Sequence, residues 1–99
     1  MIKKDLLKAA AEIVNQKNPK KNKYGEADRN FEDAGKVASI LTNEKVTPKM
    51  IAASLIGLKI ARLRKGYHED SYLDLLAYIG FMEKMEYKNF LDLYDVENK

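Results

Sequence analysis

Ninety-nine residues make one domain, 1–99, and a chain this short buries only about two-thirds of the surface it exposes when unfolded. It has no cysteine and one histidine, which excludes disulfides, thiolate metal sites and a His-rich zinc centre. Its net charge of +3 is unevenly spread: residues 1–24 carry seven Lys against Asp5 and Glu12, and residues 66–99 carry eight acidic side chains against three basic ones.

That asymmetry points to an anionic partner for the first two-thirds of the chain, or to complementary faces between subunits. The plainer reading is that solvated helix faces differ in sign. The longest apolar run, Leu75 to Met82, is far short of the roughly 20 residues that span a bilayer. The expectation is a cytoplasmic protein with no membrane association.

Four helices account for most of the sequence. The first covers about 4–16, where Ile2, Leu6, Ala9, Ala10 and Ile13 recur at helical spacing. Asn18-Pro19 breaks it, because proline lacks a donor and restricts the residue before it. The basic loop 17–24 follows. A second helix over about 28–42 carries a narrow apolar stripe of Phe31, Ala34, Ala38 and Leu41, with Asp28 as its N-cap. Thr47-Pro48 starts the third, with Thr as cap and Pro at the first helical position. It runs to about Lys65 and stops at Gly66.

The fourth helix begins near Asp70-Ser71 and reaches about Tyr87, with Ser71 and Asp74 at capping-box spacing. The acidic C-terminal tail, 86–99, keeps Tyr87, Phe90, Leu91, Leu93 and Tyr94 and is expected to form a last short helix. Helices three and four are apolar nearly all round, so they are central in the fold or face a partner chain. The fold class is all-α, a four- to five-helix bundle. A homo-oligomer, dimer or tetramer, is expected through those central helices.

The chemistry-bearing residues gather at three places. Lys59 and Arg62 lie one turn apart on helix three, amid Leu55, Ile56, Leu58 and Leu63. Asp70 and Asp74 lie one turn apart at the start of helix four. The short connection makes these helices antiparallel neighbours, so the two cations can meet the two aspartates. A salt-bridge and capping network is one reading. Phosphate recognition is the other, since Arg suits bidentate contact with phosphate. Tyr24 and Asn30 form the opposite arm, Asn30 near a helix N-terminus where anions bind readily. His68 sits in the Gly66-Tyr-His-Glu connection and reads as a solvated loop histidine. No Gly-rich phosphate loop, nucleophile elbow, His-Glu-x-x-His or calcium loop is present, and no catalytic residue is assigned.

Tyr24-Gly25, Asn30-Phe31, Leu58-Lys-Ile-Ala-Arg-Leu63 and Asp70-Ser-x-x-Asp74, in this order, resemble a family of small phage and prophage proteins described as MazG-like. The resemblance covers about residues 22–85. It implies the all-α nucleotide pyrophosphohydrolase fold, an oligomeric helical bundle. Members of that superfamily hydrolyse nucleoside triphosphates to monophosphate and pyrophosphate, using magnesium held by paired acidic residues on adjacent helices. This chain departs from the pattern, because Lys59-x-x-Arg62 stands where the first acidic pair should lie.

Two carboxylates beside two cations make a poor magnesium cage. The cations can instead neutralise phosphates directly, leaving no ion to activate water. The expectation is therefore binding of a nucleotide or other phosphorylated small molecule without hydrolysis, a sequestering role, with Tyr24, Asn30, Lys59, Arg62, Asp70 and Asp74 at the ligand and no metal or other cofactor. One alternative is a magnesium-dependent pyrophosphohydrolase with re-sited ligands from Asp28, Glu32 and Asp33. Another is binding of nucleic acid or a host protein through the basic loop.

Overall fold

A computed structural model describes residues 5–16, 18 and 27–97, with the backbone alone at Asp28 and at 94–97. The described residues are helical, in the order α1 (Leu6–Val14), α2 (Ala27–Thr42), α3 (Pro48–Arg62) and α4 (Glu69–Glu97). A single 3-10 turn, Leu63–Lys65, follows α3. Among these residues no helix is long and apolar enough to cross a membrane.

Local signals set most of the helix ends. Asp5 caps α1, its side chain accepting from Lys8 N–H at 3.2 Å. Thr47 caps α3 in the same way, accepting from Met50 N–H at 3.2 Å, and Pro48 occupies the first helical position. Asn43 takes a left-handed conformation, φ 55°, directly after α2, a role that Asn tolerates better than most residues. Gly66, φ 124°, closes the turn after α3.

The start of α4 differs from the expected capping box. Its cap is His68, not Ser71: His68 Nδ1 accepts from Ser71 N–H at 3.1 Å and lies 2.8 Å from Ser71 Oγ. The first turn is completed by Tyr72 N–H donating to His68 C=O at 3.2 Å. His68 therefore caps the helix while remaining exposed. The tail is no separate helix either. α4 runs unbroken for 29 residues, about 43 Å at 1.5 Å per residue. This overhang elongates the molecule, whose longest extent is 54 Å.

α4 is the spine. α3 packs along it antiparallel, as Lys59 pairs with Asp74 and Lys49 with Glu86. α1 packs on another side of α4, with Val14 seated over Gly80: a Cβ on that glycine would fall 2.8 Å from Val14 Cγ2. Lys84 Nζ ties down the end of α1, donating to Val14 C=O at 3.1 Å and Asn15 Oδ1 at 2.7 Å. α2 leans chiefly on α3.

The core is small: Ala27, Phe31, Ala52, Ala77 and Phe81, flanked by Ile13, Val14, Ile51, Leu55, Tyr78 and Met82. Phe31 meets both Tyr78 and Phe81 edge-on, with ring centroids 6.3 and 6.5 Å apart. The expected α2 stripe holds at Phe31 but fails at Leu41, which is 80 % exposed. Gly35 and Ser39 do the packing there instead. The turn into α3 folds back so closely that a Cβ on Gly35 would lie 2.9 Å from Val46 C=O. Ser39 Oγ accepts from Val46 N–H at 2.9 Å and donates to Gly35 C=O at 2.7 Å. Val37, Ile40 and Leu41, on the helix face away from this clamp, are left in solvent.

Candidate functional site

Lys59 lies two turns after Ala52 on α3, on the same inward-facing line, and Ala52 is fully buried. The side chain therefore runs along the helix interface rather than into water. Asp74 occupies the matching line of α4, between buried Ser71 and buried Ala77. Antiparallel packing brings the two together, with Lys59 Nζ 2.9 Å from Asp74 Oδ2. Only 15 % of the Lys59 side chain and 12 % of the Asp74 side chain remain accessible. Asp74 has a further partner besides. The sequence expectation that these helices share a charged contact is thus realised for one pair.

It is not realised for the other. Arg62 and Asp70 stand at the connected end of the hairpin, where the chain leaves α3 and enters α4, and both are exposed. Among the described residues neither makes an ion pair. In water the Coulomb gain of such a contact barely offsets the entropy of holding two long side chains together. The result is a graded edge: an anchored ammonium, then an exposed guanidinium one turn further along the same helix.

Asn30 lies in the first turn of α2, is exposed, and is engaged in an interaction of its own. Its neighbour Phe31 packs on Tyr78, one turn beyond Asp74, so this end of α2 overlies α4 close to the charged pair. Tyr24, Gly25 and all of the basic loop 17–24 except Asn18 lie outside the described residues, as does the Asp28 side chain.

The paired-acid magnesium site implied by the MazG-like resemblance does not fit these residues. The position of its first acidic pair is taken by Lys59 and Arg62, and the Lys59 ammonium sits on Asp74. Among the described residues no three His, Cys, Asp or Glu side chains converge as metal ligands would. Glu32, named as a possible re-sited ligand, lies instead at a different concavity.

That concavity, about 590 Å³, opens at the far end of the α3–α4 hairpin. Its wall includes Glu32, Thr47, Lys84, Lys88, Phe90 and Asp92, so its charges are mixed. The sequence reading missed it, because it forms only where the unbroken α4 extends past the start of α3. The available signal was the absence of any Gly or Pro after Gly80.

Comparison with known proteins places this hairpin in a family. A domain of unknown function, DUF6378, matches residues 5–86. The chain belongs to the DUF6378 family. The match takes in α1 to α3, the hairpin, and Asn30, Lys59, Arg62, Asp70 and Asp74. This DUF6378 chain is also similar to the Gene 55 protein of Mycobacterium phage L5, at 35 % identity over 83 residues, covering 82 % of this chain and 52 % of that protein. The Gene 55 protein of Mycobacterium phage D29 is 33 % identical over 63 residues, covering 63 % of this chain and 42 % of that protein. The chain spans about half the length of these curated relatives, or less. No solved structure matches it.

Proposed function

We propose that this DUF6378 domain binds a nucleotide or another phosphorylated small molecule and does not hydrolyse it, with Lys59, Arg62 and Asn30 facing the anion and Asp74 and Asp70 framing them. The observation that carries the reading is the Lys59–Asp74 pair. An ammonium at 2.9 Å neutralises the carboxylate that a catalytic magnesium would require. Lys59 is held in place yet has three donors, of which Asp74 uses one. Arg62, one turn away and exposed, offers a planar fork suited to phosphate oxygens. Together the two cations supply charge neutralisation without a metal to generate hydroxide. The resemblance to MazG-like phage proteins agrees in ligand class, and the phage relatives agree in setting.

The test is direct. The protein is mixed with nucleoside triphosphates, deoxynucleotides, and cyclic and linear dinucleotides, with and without magnesium. It is then separated by filtration and denatured, and both fractions are chromatographed. A nucleotide retained and released intact supports the reading. Conversion to monophosphate that depends on magnesium would replace it with the pyrophosphohydrolase alternative.

A further inference from the structure

Tyr67 and Tyr72 meet at the connected end of the hairpin, with ring centroids 5.5 Å apart and planes inclined by 30°. Tyr67 is 66 % exposed and Tyr72 37 %. Neither belongs to the core around Phe31 and Phe81. The backbone here is set by other residues: Gly66 closes the turn and His68 caps α4. One face of Tyr67 rests against Tyr72, and the other is a flat aromatic surface open to water.

Cations precede that surface in the chain. Arg62, Arg64 and Lys65 are all exposed and lie within five residues of Tyr67. The 3-10 turn Leu63–Lys65 advances only about 2 Å per residue, so it keeps them at the same end of the hairpin. Arg64 is also held. Its Nε–H donates to Ala61 C=O, one of the last carbonyls of α3, at 3.2 Å. Both terminal guanidinium nitrogens are left for a ligand. Between these cations and the ring stands Gly66, with open space where a Cβ would be. A ligand can cross from cation to ring there against bare backbone. Glu69 and Asp70, the acids of this end, lie in the first turn of α4, where the helix dipole accommodates them.

We infer that Tyr67, backed by Tyr72, takes the base of the ligand, and that Arg64 joins Arg62 on its phosphates. That assignment builds on the phosphate site proposed above and narrows its ligand to one that carries a nucleobase. A base stacks on an aromatic ring through its own flat face, whatever its hydrogen-bonding edge. A sugar phosphate or an inorganic phosphate chain would engage the guanidinium groups and leave the ring unused. Contact with Tyr72 holds Tyr67 in one orientation, so less freedom is lost when a base settles on it.

Equilibrium dialysis tests this with ATP, GTP, CTP, UTP and cyclic diguanylate, and with inorganic tripolyphosphate as an anion without a base. At least one nucleotide should bind about ten-fold more tightly than tripolyphosphate, the scale of one base stacked on an aromatic ring. Tyr67→Leu should lower affinity for that nucleotide about ten-fold, with the circular-dichroism helix signal retained and tripolyphosphate binding unchanged. Tyr67→Phe keeps the ring and should bind as the wild type does. Arg64→Ala should weaken both ligands alike. Equal affinity for nucleotide and tripolyphosphate would overturn the base assignment and leave the phosphate site standing. So would a Tyr67→Leu variant that binds the nucleotide as the wild type does, or that loses both ligands equally. Binding to none of these probes would overturn both.

Discussion

Lys59 Nζ and Asp74 Oδ2 stand 2.9 Å apart across the α3–α4 interface, each on a side chain largely withdrawn from water. Removing one partner strands the other in a setting that solvates charge poorly. Lys59→Met should destabilise the fold by about 2–3 kcal/mol, somewhat below the loss seen for fully enclosed pairs because Asp74 keeps another contact. Lys59→Met with Asp74→Leu should recover most of that loss, since an apolar pair of similar volume has no charge to strand. Urea denaturation of the two single variants and the double variant measures this. A loss in the double variant equal to the sum of the two single losses would mean that the two side chains act independently.

His68 is an unusual helix cap, and its replacement should show it. His68→Ala removes the acceptor for Ser71 N–H and should lower stability by about 1 kcal/mol. His68→Asp supplies a carboxylate oxygen in the same place and beside the helix dipole, and should restore it. Thermal denaturation of both variants decides the matter. Identical losses in the two would deny the capping role.

The turn between α2 and α3 depends on the absence of a side chain. Gly35→Ala puts a methyl 2.9 Å from Val46 C=O, and backbone rather than a flexible side chain must yield. The loss should be about 1–3 kcal/mol despite the better helix propensity of alanine. Gly57→Ala is the control, because nothing lies near its Cβ. It should stabilise α3 by up to about 1 kcal/mol. Chemical denaturation of the two variants compares them.

How far these features were legible depends on what each rests on. The Lys59–Asp74 contact was readable because the short connection from Leu63 to His68 allows only an antiparallel hairpin, and helical spacing then aligns the residues. The Thr47-Pro48 start was readable because cap chemistry is local. The true cap of α4 was hidden by a better-looking decoy. Ser71 and Asp74 fit a capping box, yet Asp74 is drawn inward by Lys59 and Ser71 is buried as the third residue of the helix. Leu41 matched the apolar stripe of α2, but only tertiary contact shows that Gly35 and Ser39 end the packing a turn earlier. Arg62 and Asp70 have the right spacing for an ion pair, but exposure at the hairpin's connected end removes the incentive to form one.

Arg62 separates function from fold. It is exposed and makes no ion pair among the described residues, so Arg62→Ala should change stability by no more than about 0.5 kcal/mol. Any loss of ligand affinity in that variant is then a property of the site.

The most direct test is isothermal titration of wild-type protein and Arg62→Ala, side by side, with whichever nucleotide the wild type retains from the panel. Saturable binding to the wild type, lost in Arg62→Ala with an unchanged melting temperature, is the predicted result. Equal affinity in the two proteins would contradict the account and leave Lys59, Arg62 and Asp74 as parts of the scaffold alone.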